Sequence, residues 1–125
     1  MMTLGQRMGT NLMYKLILFP TIIFGAEALL PSQIQYSSWI PPFLLSTLFI
    51  LIGLFADETM LPMFGNERAT IQGTLFMTGA TWALPFIYPG NHITLLGAAA
   101  TGISLGIAEY GMHAWLLSKR GPTKL

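Results

Sequence analysis

The stretch WIPPFLLSTLFILIGLFA, from Trp39 to Ala56, contains no charged residue and decides the fold class. A helix that crosses the hydrocarbon core of a bilayer needs roughly 20 mostly apolar residues. The stretch lacks the alternation of apolar and polar residues that a membrane β-strand would show. A helix also satisfies its own backbone hydrogen bonds in lipid, which an isolated strand cannot do. The sequence therefore predicts a transmembrane helix here.

Three further apolar stretches flank this one, and the four predicted spans cover about residues 12–30, 39–56, 69–88 and 92–117. Residues typical of turns separate them: Pro31-Ser32-Gln33, then Pro62 with Gly65-Asn66, then Pro89-Gly90-Asn91. We therefore expect residues 1–125 to form one all-α membrane domain, a four-helix transmembrane bundle.

The composition agrees with lipid as the solvent. Hydrophobic residues make up 53% of the chain and charged residues 9%, against about 25% charged residues in soluble proteins. The net charge of +1 and the lack of a basic stripe argue against a nucleic-acid partner. The chain has no cysteine, which excludes disulfides and thiolate ligands. The expected partner is the lipid bilayer, and we expect no cofactor.

The positive charges indicate the orientation, because loops that remain in the cytoplasm carry an excess of Lys and Arg. In the four-span arrangement the N-terminus, the middle loop and the C-terminus lie on one side. That side holds every Lys and Arg of the chain: Arg7, Lys15, Arg68, Lys119, Arg120 and Lys124. We therefore predict that both termini are cytoplasmic.

An alternative concerns the first span. Its end contains Ala26-Glu27-Ala28, an A-x-A pattern that resembles a signal-peptide cleavage site. Cleavage there would leave three spans with the C-terminus still inside. Glu27 within the apolar run and the good fit of a retained first span argue against cleavage.

Small residues recur every four positions in the fourth span, at Ala98, Gly102 and Gly106. Residues at this spacing share one face of a helix and let a second helix approach closely. The face either packs inside the bundle or forms the contact of a homodimer, and the sequence leaves both interpretations open.

Ionisable residues inside a bilayer are costly, so those in the spans are the candidate site. Glu109 and His113 are four residues apart and share a helix face. Glu109 lies about 15 Å inward from Lys119 along the helix axis. Asp57 and Lys15 belong to the same half of the membrane, so we expect these groups to converge.

Three interpretations of this cluster are possible. It is either a polar clasp that fixes how the helices dock, or a site that relays a proton or a cation. A metal bound by Asp57, Glu109 and His113 is the weakest interpretation, because the E-x-x-x-H spacing alone is a loose pattern. We therefore expect no metal site.

Motifs of soluble enzymes are absent from the sequence. It has no P-loop, no dinucleotide-binding glycine pattern and no G-x-S-x-G elbow. We expect no enzymatic activity. The favoured function is that of a structural or accessory membrane protein, alone, as a homo-oligomer or in a larger complex. The alternative is a small proton- or cation-coupled transporter that uses Glu109 and His113.

Two segments resemble a known family. The segment from Asp57 to Thr70 follows the pattern D-x-x-x-L-P-x-x-G-N-x-x-A-T, and Glu109 to His113 follows E-[aromatic]-x-x-H. Both patterns are similar to those of the YndM-like family, small four-helix membrane proteins of unknown function found mainly in Gram-positive spore-formers. The resemblance implies the bacterial cytoplasmic membrane as location. It also points to the residues of the middle segment as a motif loop: Leu61, Pro62, Gly65 and Asn66.

The chain departs from that family at one place. The family pattern continues with an acidic residue soon after Ala-Thr, where this chain has Gln72 and Gly73. If that acid is needed for the family's activity, this protein has lost or altered it. The resemblance supplies no reaction.

Overall fold

The computed structural model describes residues 2–120, which form three long helices and a short two-stranded ribbon. The elements are α1 (Leu4–Leu29), β1 (Ile34–Gln35), α2 (Ile40–Ile87), β2 (His92–Ile93) and α3 (Leu95–Arg120). Each helix is long and apolar enough to cross a membrane. The expected membrane-type helices are therefore present.

The prediction of a four-helix transmembrane bundle is wrong, because the described residues contain three helices. The predicted second and third spans both belong to α2, which is 48 residues long. The predicted motif loop between them does not form: Leu61, Pro62 and Asn66 lie within α2, and only Gly65 has non-helical dihedral angles. A proline removes one backbone donor but still fits a membrane helix, so Pro62 does not end α2.

Gly65 reverses the direction of α2. Its φ of 83° and ψ of 169° belong to a region that residues with a Cβ essentially never adopt. The ring centroids of Phe49 and Phe76 are 5.9 Å apart, although a straight helix would separate residues 27 positions apart by about 40 Å. The first arm of α2 (residues 40–64) and the second arm (residues 66–87) therefore lie side by side.

Helix boundaries follow local chemistry. At the start of α1, the backbone N–H of Gln6 donates to the Thr3 hydroxyl and the Thr3 N–H donates to the Gln6 side chain, which is a capping box. Pro41 and Pro42 occupy the first turn of α2, where the missing N–H groups are not needed. Lys119 lies in the last turn of α3, where a positive charge meets the negative end of the helix dipole.

The two ends of the molecule differ in character. At one end the Met2 N–H reaches the Lys119 carbonyl over 3.4 Å, so the beginning of α1 and the end of α3 lie together. At the other end β1 pairs with β2 in antiparallel register, with Ile34 opposite Ile93. Lys124, which the orientation argument used, lies outside the described residues. We call the end that contains Met2 and Lys119 the charged end, because Glu58 pairs there with Arg7 and Arg120.

Apolar clusters are stacked along the bundle. The central cluster contains Phe19, Ile23, Leu45, Phe49, Ile50, Met77 and Leu105. A second cluster lies nearer the charged end and contains Leu61, Met112 and Leu116. The outer surface is also apolar, and Leu29 and Phe86 are 82% and 80% exposed. Such a surface suits contact with lipid.

The small residues of α3 pack within the chain. A Cβ at Gly102 would overlap the side chain of Thr78, and a Cβ at Gly106 would overlap that of Thr74. Both threonines belong to the second arm of α2. Ala98 is fully buried beside the ribbon, in a cluster with Ile34 and Ile93. The Gly102 and Gly106 positions of this face are therefore covered by the chain itself.

We predict that Gly65→Ala lowers the free energy of unfolding by about 1–3 kcal/mol, because a Cβ strains the reversal of α2. Space is not the reason, since no atom lies within 4 Å of a Cβ built at Gly65. Thermal unfolding in detergent should show a loss of several degrees. Gly79→Ala is the matched control, because its Cβ also meets nothing and its backbone is helical. Equal melting of the two variants would contradict the proposed role of Gly65.

Candidate functional site

Four ionisable side chains meet in the interior and form a closed ring, which we call the charge ring. Its members are Lys15 of α1, Asp57 of the first arm of α2, and Glu109 and His113 of α3. Each is at most 5% exposed. The ring thus brings together the four residues that the sequence predicted as the polar site.

Each carboxylate of the ring binds both basic groups. The Lys15 ammonium donates to Asp57 Oδ2 at 2.9 Å and to Glu109 Oε1. His113 Nε2 lies 2.9 Å from Asp57 Oδ1 and 2.7 Å from Glu109 Oε2. All four carboxylate oxygens are therefore engaged, and positive and negative groups alternate around the ring.

Helix periodicity positions the ring. Glu109 and His113 are one turn apart on α3. On α1, Asn11 lies one turn before Lys15, and its Nδ2 donates to Asp57 Oδ2 at 2.8 Å. Gly53 leaves room for the Lys15 stem, since a Cβ there would lie 3.1 Å from Lys15 Cε.

The second arm of α2 contacts the ring through His113 Nδ1. This nitrogen lies 3.0 Å from Asn66 Oδ1 and 2.9 Å from Thr70 Oγ1. The Asn66 amide donates to the Tyr110 carbonyl, and the Thr70 hydroxyl donates to Asn66 Oδ1. Both oxygens near Nδ1 are then acceptors, so all the contacts are favourable only when Nδ1 carries a hydrogen.

The surroundings of His113 therefore favour the imidazolium form, with a hydrogen on both nitrogens. Its Nε2 faces two carboxylate oxygens and its Nδ1 faces two further acceptors. With this proton on His113, the two positive groups balance the two carboxylates and the ring is neutral. Without it the ring carries one negative charge, which is costly in a low-dielectric interior. One proton thus decides the charge of the ring.

A cavity of about 310 Å³ adjoins the ring between the two arms of α2. Most of its wall is apolar, and three members of the ring supply ionisable groups: Asp57, Glu109 and His113. Pockets of about this size that combine an apolar wall with a few convergent polar groups are typical ligand sites. The cavity connects the ring with the outer surface of the helices.

A second set of ion pairs lies at the charged end. Glu58 Oε1 accepts from Arg7 at 3.0 Å and from Arg120 at 2.9 Å. Arg7 precedes Lys15 by about 12 Å along α1. Leu61 and Leu116 lie one helical turn beyond Asp57 and His113 toward the charged end and belong to one buried apolar cluster.

The Lys15 ammonium opposes binding of a metal ion by the other three residues of the ring. Asp57, Glu109 and His113 each offer a ligand atom within 4.8 Å of the others. The Lys15 ammonium contacts both carboxylates, however, and already supplies the cation that they share. A divalent ion would add two positive charges next to that ammonium. Asp57, Glu109 and His113 therefore suit a monovalent cation better than a divalent one.

Two further residues contribute to the site and were not among those predicted from the sequence. Asn11 binds Asp57 and Thr70 contacts His113. Asn11 lies one helical turn from Lys15, and Thr70 lies one helical turn from Asn66. This spacing from a predicted site residue would have allowed both to be predicted. Asn11 Oδ1 has no hydrogen-bond partner within residues 2–120 although Asn11 is 1% exposed.

The opposite end of the molecule holds a separate polar contact. The Tyr36 N–H donates to Glu27 at 2.8 Å. Burial, and secondarily the nearby Glu27, raise the pKa of the Tyr36 hydroxyl well above its usual value. Tyr36 therefore keeps its proton near neutral pH. Glu27 lies in the A-x-A pattern, and cleavage after Ala28 would remove Lys15 from the ring.

No protein-family model matches the sequence, and no curated protein and no solved structure is significantly similar to it.

We predict strong coupling between Lys15 and Glu109. Lys15→Met leaves two buried carboxylates to one imidazolium, and should cost about 3–5 kcal/mol of stability. Lys15→Met combined with Glu109→Gln restores the balance of charge and should cost less than the sum of the single changes. Thermal unfolding in detergent measures this, with the exposed Lys119→Met as control. Additive losses would contradict a shared ring.

Proposed function

We propose that this protein is a small, non-enzymatic, multi-pass membrane protein that exchanges a proton for a monovalent cation at the charge ring. The observation that carries the proposal is the set of acceptors around His113, which makes ring neutrality depend on one proton. When this proton leaves, a monovalent cation can restore neutrality. The site then holds either the proton or the cation, which is the basic requirement of an antiporter.

The position of the ring supports this function. Ionisable groups inside a membrane commonly mark ion and proton pathways. The apolar cluster of Leu61, Met112 and Leu116 packs next to the ring on the side of the charged end, and the cavity reaches the ring between the two arms of α2. We place the protein in a bacterial cytoplasmic membrane with its charged end in the cytoplasm, in accordance with the distribution of Lys and Arg.

Membership of the YndM-like family is part of this proposal. The two motifs on which the resemblance rests contain Asp57, Asn66, Glu109 and His113. In this chain Asp57 and Glu109 bind His113 through Nε2, and Asn66 contacts its Nδ1. A shared site would explain why these residue types stand at both motifs.

A second candidate function is that of an accessory protein, with the ring as a clasp. The observation in its favour is that all four carboxylate oxygens of the ring are partnered. The clasp joins α1, the first arm of α2 and α3, and it contacts the second arm through Asn66 and Thr70. Polar contacts of this kind hold membrane helices together. A homo-oligomer or a larger complex would then bind through another surface than Gly102 and Gly106. Co-purification of a stable partner would favour this candidate.

We predict that external cations discharge a pH gradient in proteoliposomes that contain the protein. Vesicles with an acidic interior and a trapped pH dye receive sodium, potassium or an organic ammonium ion. In the wild type at least one cation should cause loss of internal protons. Glu109→Gln should abolish this response, because the remaining carboxylate is balanced by Lys15 and has no need of an exchangeable cation.

The matched control is Glu67→Gln, which removes an exposed acid of α2 outside the ring. It should retain the wild-type response. If no cation discharges the gradient in the wild type, the exchange function is wrong and the accessory function is preferred. An equal loss in the Glu67 and Glu109 variants would also contradict a role for the ring.

A further inference from the structure

We infer that the cavity beside the charge ring binds a lipophilic organic monocation, whose charged group approaches Asp57 and Glu109 while its apolar part occupies the cavity. This inference rests on the proposed exchange function and names the class of the exchanged cation. It follows from three properties of the cavity: the charge of its wall, its apolar lining and its position at the outer surface.

The ionisable part of the wall favours a cation. Asp57, Glu109 and His113 line the cavity, whereas Lys15 does not. Lys15 contacts the same carboxylates, and its Nζ lies over the phenyl group of Phe19, 4.9 Å from the phenyl centroid. A ligand in the cavity therefore meets both carboxylates and one imidazole. When His113 has lost its proton, this wall carries two negative charges and no positive one.

The lining favours an organic rather than a hydrated inorganic ion. The aromatic side chains of the wall are Phe19, Phe49 and Phe76. Aromatic faces attract organic ammonium groups, and the apolar part of the wall offers no oxygen ligands to complete the shell of six or more that a dehydrated inorganic ion needs. The volume of about 310 Å³ accommodates a small organic molecule.

The opening of the cavity favours a lipophilic ligand. Of the residues that line it, the first arm of α2 contributes Ile52, which is 41% exposed, and the second arm contributes Phe76, which is 43% exposed. Gln72 is also exposed at this rim. The apolar outer surface of the helices faces lipid, so a ligand that partitions into the bilayer reaches the opening directly.

Proton exchange at His113 involves groups from each neighbouring element. Asp57 faces it from the first arm of α2, and Glu109 from its own helix, while Lys15 of α1 shares both carboxylates. The second arm contributes only the uncharged Asn66 and Thr70. Because the cation replaces the proton, its apparent affinity should rise with pH.

The test compares two probes of equal shape, phenyltrimethylammonium and tert-butylbenzene, on the full chain in lipid nanodiscs. The quaternary ion has no titratable group, so any pH dependence of its binding belongs to the protein. We expect the ammonium ion to bind at least about tenfold more tightly than the neutral probe. Its affinity should increase by up to about tenfold for each pH unit while His113 loses its proton.

Charge changes at Gln72 make the test independent of folding, because this side chain is exposed at the rim. Gln72→Glu should tighten binding of the ammonium ion severalfold, and Gln72→Lys should weaken it by a similar factor. Neither change should alter binding of tert-butylbenzene. A gain of affinity cannot result from damage to the fold, so the Glu variant remains informative even where ring variants unfold.

The results separate the two proposals. Equal binding of both probes, or binding of the ammonium ion that ignores the charge at position 72, overturns the organic cation as ligand. If sodium or potassium discharges the pH gradient through Glu109 while phenyltrimethylammonium neither binds nor discharges it, the exchange function stands and the ligand class is wrong. If no cation discharges the gradient, the exchange function itself fails.

Discussion

The four ionisable groups of the buried ring must balance one another's charge inside the bundle. A lone ammonium or carboxylate in a low-dielectric interior is strongly unfavourable, and opposite charges must meet it at short range. Lys15, Asp57, Glu109 and His113 meet this requirement only together, because each carboxylate is shared by two basic groups. The packing of α1, α2 and α3 must bring all four to one level of the bundle.

Other features of the fold bring the ring residues together. Gly65 turns α2 back, so that its second arm supplies acceptors to His113. Gly102 and Gly106 allow α3 to approach that arm closely. Apolar clusters lie on both sides of the ring. The cavity between the arms leaves one face of the ring accessible, which the proposed exchange requires and a clasp does not.

The sequence predicted parts of this arrangement. Long apolar runs gave the membrane-type helices, since hydropathy depends on composition alone. Helical spacing placed Glu109 beside His113, and all four ring residues were expected in one half of the membrane. Between the predicted spans 39–56 and 69–88 the sequence predicts a loop, whereas the structure has helix interrupted only at Gly65. Turn-forming residues such as Pro62 do not reveal how far each helix continues toward Gly65. The two-residue strands are too short to show periodicity, and the cavity depends on side-chain packing that no local pattern encodes.

Solid-state NMR can measure the protonation of His113 in a bilayer. The chain has two histidines, so His92→Gln in ¹⁵N-histidine-labelled protein leaves a single imidazole for solid-state NMR in lipid. At neutral pH and without an organic cation, both imidazole nitrogens of His113, Nδ1 and Nε2, should carry hydrogens. Addition of phenyltrimethylammonium should remove one of them. A nitrogen of His113 without hydrogen in the cation-free protein, unchanged when the cation is added, would contradict a ring whose neutrality depends on one exchangeable proton.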